Sequence, residues 1–155
     1  AGMRASEAVN QMNETSGNLP LMVGSCLSAV AALLHIGIII GGATWYRCFG
    51  AGERMARAAD AGRAYPAVVT SFIAAVLVLW SVYAASGAGL LAPLPLLKLA
   101  LVVITGIYLL RGLAVVPLFT VARSRSTPFL MWSSVICLGY GSIHLVGLVQ
   151  VWSRL

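Results

Sequence analysis

Apolar positions fill four long stretches of this chain, 21–46, 66–87, about 95–119 and 129–152, with polar breaks between them. The first reads LMVGSCLSAVAALLHIGIIIGGATWY and the last FLMWSSVICLGYGSIHLVGLVQVW. A bilayer core takes about 20 apolar residues per helix, and each stretch reaches that length. None shows the period-two alternation of a membrane β-strand, and irregular backbone cannot satisfy its polar groups in hydrocarbon. The pattern predicts an all-α, polytopic membrane protein. Residues 20–155 form one domain of four transmembrane helices in an up-down bundle, and 1–19 form a polar N-terminal tail.

The ends of the stretches carry matching marks. Trp45, Tyr46, Tyr65, Trp132 and Trp152 stand where interfacial aromatic belts belong. Pro66 and Pro128 suit the first turn of a helix, where a missing N–H costs nothing. The first stretch is not expected to be a cleavable signal, because ETSGNLP before it has no basic residue and the run is too long.

The breaks set an expected orientation. One loop, CFGAGERMARAADAGRAY, holds Arg54, Arg57 and Arg63, with Arg47 at its start; another, VARSRST, holds Arg123 and Arg125. Both lie on one side of an up-down bundle, which the positive-inside rule makes cytoplasmic. Both termini then lie on the outer side of a bacterial inner membrane. The first loop is expected to hold a short surface helix between Gly52 and Gly62, with Glu53–Arg57 and Asp60–Arg63 pairs. The remaining loop, SGAGLLAPLP, is apolar enough to enter the interface or touch another subunit.

Composition narrows the function classes. The chain is 60% hydrophobic and 9% charged, against about 25% charged in soluble domains. Its net charge of +6 is grouped between apolar runs, without the aromatic interleaving of an RNA-binding surface, so nucleic acid is not an expected partner. Cys26, Cys48 and Cys137 form no C-x-x-C and imply neither a disulfide framework nor a zinc site. No Asp or Glu lies in the four stretches, which removes carboxylate-based proton pathways and aspartate-pair proteolysis. Ser142 and His144 are two residues apart, on different helix faces, and make no nucleophile–base pair.

The remaining chemistry lies in a few polar residues. Arg111 interrupts ITGIYLLRGLAVV, and Thr105, Tyr108 and Arg111 share one helical face. Three readings compete: snorkelling toward phosphates, pairing with helix-end carbonyls or another subunit, and holding an anionic ligand in the planar guanidinium fork. The only histidines, His35 and His144, lie in the first and last stretches. An expected depth difference on the order of 5–10 Å makes them candidate axial ligands of a b-type haem, with Arg111 as propionate partner. The alternative is a pair of neutral, hydrogen-bonded histidines. Gly37 and Gly41 form a G-x-x-x-G stripe for close packing in the bundle or in a homo-oligomer.

The leading expectation is a non-enzymatic protein that binds or passes a small anionic or amphipathic ligand. Its site would use Arg111, Tyr108 and Thr105 on one wall and His35 or His144 on another. Membrane lipids and copies of the chain are the expected partners. The alternatives are a haem b electron-transfer subunit using His35 and His144, and a structural subunit of a larger membrane complex.

Overall fold

A computed structural model describes residues 17–114, 116 and 128–155. The described residues are all-helical: α1 (Leu19–Cys48), α2 (Glu53–Asp60), α3 (Tyr65–Gly87), α4 (Leu97–Leu113) and α5 (Pro128–Val151). Among them α1, α3 and α5 are long and apolar enough to cross a membrane. The stretch expected to run from Pro95 to Phe119 is helical over 17 residues in α4, which gives ~26 Å at 1.5 Å per residue. Residues 115 and 117–119 of that expected span lie outside the described residues. So do most of the expected N-terminal tail and the loop with Arg123 and Arg125.

Asn18 starts α1. Its Oδ1 accepts the Leu21 N–H at 2.9 Å, and its own N–H donates to the Ala88 carbonyl at 3.0 Å, tying the start of α1 to the end of α3. Its Nδ2 donates to Gln150 Oε1 at 2.7 Å, which adds the end of α5. Such caps satisfy first-turn donors that apolar surroundings would leave unpaired.

α1 and α3 pack along their length. Ser25 Oγ and Ser81 Oγ each reach the other's carbonyl at 2.9 Å. Lower down, Thr70 Oγ1 donates to the Pro66 carbonyl at 2.8 Å. Its single proton is thereby used, so Tyr46 Oη donates to Thr70 in their 3.1 Å contact.

Small residues bring α4 and α5 together. A Cβ added to Gly112 would lie 2.7 Å from the Leu138 backbone, and one on Gly141 would lie 2.9 Å from the Leu109 nitrogen. α5 therefore runs antiparallel to α4, with backbones nearly touching at two levels. α5 also meets α1 at a glycine, with Gly147 against the side chains of Leu21 and Asn18.

Gly42 departs from helical geometry (φ 62, ψ −150) and kinks α1 near its C-terminal end. Trp45 then folds back over Gly37, where an added Cβ would sit 3.2 Å from the indole, and over Gly41, where a Cβ would collide with it. The expected G-x-x-x-G packing surface is thus occupied by a side chain of its own helix.

α2 lies against the kinked end of α1, with Ala56 fully buried near Ile38 and Tyr46. The expected Glu53–Arg57 pair is present at 3.1 Å. Asp60 pairs with Arg47 at 2.6 Å in place of the expected Arg63, because α2 folds its acidic ends back onto α1. Arg47 also meets Glu53 at 3.1 Å.

Hydrogen bonds from Arg47 and then Arg57 hold the Glu53 carboxyl below its ordinary value of 4.5. A depressed folded value means the contribution is present above the unfolded value and lost as pH falls through the folded one. Amide exchange in α2, corrected for intrinsic rates, should be flat from pH 7 to about 5 and rise in more acidic solution. Glu53→Gln should remove that rise. A rise starting near neutrality would contradict the assignment to Glu53.

Candidate functional site

Most of the polar side chains expected to carry function converge where α4, α5 and α1 meet. Thr105 and Tyr108 are buried on the inner face of α4, and Arg111 follows half-buried on the same face. Tyr108 Oη contacts Ser28 Oγ of α1 at 3.0 Å. Its ring is the hub of an aromatic cluster, with centroids 4.9 Å from Trp80, 5.5 Å from Tyr140 and 5.2 Å from His144.

Arg111 reaches away from this hub. Its two terminal nitrogens donate to Ser134 Oγ at 2.8 Å and Ser133 Oγ at 2.9 Å. Ser133 passes its own proton to the Leu130 carbonyl at 3.2 Å, so it acts toward Arg111 purely as an acceptor. Both serines lie in the second turn of α5. The guanidinium is therefore drawn toward the end of the molecule where α4 ends and α5 begins.

No carboxylate among the described residues pairs with Arg111. Glu53 and Asp60, the acidic side chains described, are taken by Arg47 and Arg57. Two neutral hydroxyls orient the fork without cancelling its charge. A guanidinium has five N–H donors, so those not used by the two serines can donate to phosphate or carboxylate oxygens.

His144 is fully buried. Its Nδ1 lies 2.9 Å from the Tyr140 carbonyl, which can only accept, so Nδ1 carries a proton and, in the neutral ring, Nε2 is a bare acceptor. Nε2 and Thr105 Oγ1 are buried and have no hydrogen-bond partner among the described residues. Gly24 of α1 faces the ring so closely that an added Cβ would lie 2.7 Å from Cε1 and 3.0 Å from Nε2.

His35 is elsewhere. Its Nδ1 donates to the Ala31 carbonyl at 2.7 Å, and the ring is half-buried. Gly24 marks the level of His144 on α1, and residue 35 is eleven positions further along, or ~16 Å at 1.5 Å per residue. That exceeds the expected depth difference, and the two rings are not placed to share one iron. Among the described residues no group of three or more His, Cys, Asp or Glu side chains could hold a metal ion.

Sequence reasoning did not find Ser133, Ser134, Ser28, Trp80, Tyr140 or Gly24 as neighbours of this region. One signal was present: adjacent serines in an apolar run near the start of the last helix. Pairing them with Arg111 required the register of α4 against α5, which the Gly112 and Gly141 contacts set.

No known protein family matches the chain, and no curated protein or solved structure is detectably similar to it.

Proposed function

We propose that this chain is a four-helix, up-down protein of a bacterial inner membrane that binds an anionic amphipathic ligand at Arg111. In this reading α4 is the third and shortest of the four spans. The basic loops face the cytoplasm and both termini lie outside, following the arginine distribution. The ligand's phosphate or carboxylate meets the guanidinium, and its apolar part lies along the α4–α5 seam.

One observation carries the reading. Arg111 is oriented by two serine hydroxyls, at 2.8 and 2.9 Å, and meets no carboxylate among the described residues. A cation within an apolar helix is costly until an anion or water reaches it. Its direction, toward the loop end of α5, supports a ligand anion at headgroup level. Arginine serves here because its fork is pre-shaped for two parallel bonds, which a lysine ammonium does not reproduce.

The test uses purified protein in detergent, titrated with anionic and zwitterionic phospholipids, with bound lipid counted by native mass spectrometry. Arg111→Ala is expected to weaken anionic-lipid binding at this one site by about ten- to a hundredfold, on the ~1.5–3 kcal/mol of a charge-assisted bond, and to leave zwitterionic binding unchanged. Arg111→Lys should fall between them. Equal anionic binding in all three proteins would end this assignment. Anion flux in liposomes, present in the wild type and lost in Arg111→Ala, would identify passage in addition to binding. Stoichiometric co-purification of another membrane protein without either property would favour the structural-subunit alternative.

A further inference from the structure

At the opposite end of α4 from Arg111 lies a cavity of 840 Å³. It is an open groove lined by the end of α3, the following loop, the first turns of α4 and the end of α5. Its walls include Leu94, Leu97, Leu99 and Val102, and its charged lining residues are Lys98 and Arg154. No acidic side chain among the described residues lines it.

The cavity is built by specific bonds. Ser86 Oγ donates to the Ala92 carbonyl at 3.0 Å and accepts the Leu94 N–H at 3.1 Å. Tyr83 Oη donates to the Pro95 carbonyl at 3.2 Å. These contacts hold the apolar loop expected to enter the interface as one wall. Leu96, between that wall and α4, adopts a left-handed conformation (φ 54) that a leucine rarely takes.

Lys98 is held in place by α5. Its Nζ donates to the Trp152 carbonyl at 3.3 Å and lies 4.1 Å from the centroid of the Trp152 ring. An ammonium has three donors, so this bond does not exhaust it. Arg154 is exposed and makes no ion pair among the described residues. Trp152 is itself half-exposed, as an aromatic at a membrane–water interface is. Leu99 and Val102 are also partly exposed on α4 and continue the apolar wall away from the two cations.

We propose that this cavity binds an anionic phospholipid, with Lys98 and Arg154 on its headgroup phosphate and an acyl chain along Leu99 and Val102. Cations at one end and an apolar wall at the other match an amphiphile better than a free anion. The inference does not rest on the Arg111 reading. Positions 98 and 111 are thirteen residues apart on α4, ~20 Å, so the two sites lie at opposite ends of the helix.

The experiment separates the sites by working in the Arg111→Ala background. That protein is titrated in detergent with phosphatidylglycerol or phosphatidylcholine, and bound lipid is counted by native mass spectrometry. The phosphatidylglycerol preference should persist in this background. Lys98→Gln and Arg154→Gln should each reduce it about fivefold, the effect of one interfacial charge, with phosphatidylcholine binding unchanged. Lys98→Arg should retain it. Val102→Trp, which fills the wall and keeps both cations, should weaken both lipids. Glycerol phosphate at millimolar concentration should not displace the bound lipid. The proposal is overturned if the double Gln variant keeps the preference, if Val102→Trp leaves binding intact, or if glycerol phosphate displaces the lipid.

Discussion

Gly112→Ala is expected to destabilise the protein by ~1–3 kcal/mol, although alanine is the better helix former. The added Cβ would lie 2.7 Å from the nitrogen and Cα of Leu138, and backbone cannot move aside as a side-chain tip can. α5 would have to retreat from α4, loosening the Leu109–Gly141 contact and moving Ser133 and Ser134 away from Arg111. Gly106 lies six residues earlier on the same helix, and a Cβ there meets nothing within 4 Å. Gly106→Ala should therefore be neutral or stabilise by up to ~1 kcal/mol. Unfolding in detergent–denaturant titrations, followed by circular dichroism, compares the pair directly. If both variants move stability in the same direction, close α4–α5 packing at Gly112 is refuted.

The same contacts explain what could be read from the sequence and what could not. The helices α1, α3 and α5 follow from unbroken apolar runs, because lipid imposes one solution on such runs. Arg111 was visible as a lone charge, and Thr105 and Tyr108 as its companions, because helical spacing is local. Its serine partners were not, because they depend on how far α5 slides along α4. The histidines show the same limit. Helical rise along the first and last spans puts His35 and His144 on the order of 5–10 Å apart in depth. The Asn18–Gln150 bond and the Gly147–Leu21 approach instead put Gly24 opposite His144. The G-x-x-x-G stripe shows a different limit: the kink at Gly42 turns Trp45 back onto it. A residue pattern carries helix faces; it does not carry a kink or a register.

Gly24 and His144 should be energetically coupled, and a double-mutant cycle measures by how much. His144→Ala alone removes a fully buried ring packed against Tyr108 and leaves a cavity, at a cost of roughly 2–5 kcal/mol. Gly24→Val alone drives a branched side chain into the imidazole, which an added Cβ already approaches to 2.7 Å, and should cost ~1–3 kcal/mol. In the double variant the valine enters space the ring has vacated. The combined loss should then be smaller than the sum of the two single losses by ~0.5–3 kcal/mol. Simple additivity would mean that Gly24 does not face the ring, and the register of α1 against α5 would have to be redrawn. A positive coupling has a further consequence for the site. It places the bare Nε2 of His144 beside the α1 backbone, at the level of the buried Tyr108, so a group reaching that nitrogen must be small enough to fit between packed helices. A water molecule with hydrogen-bonding partners meets that requirement; a haem plane would require α1 and α5 to separate.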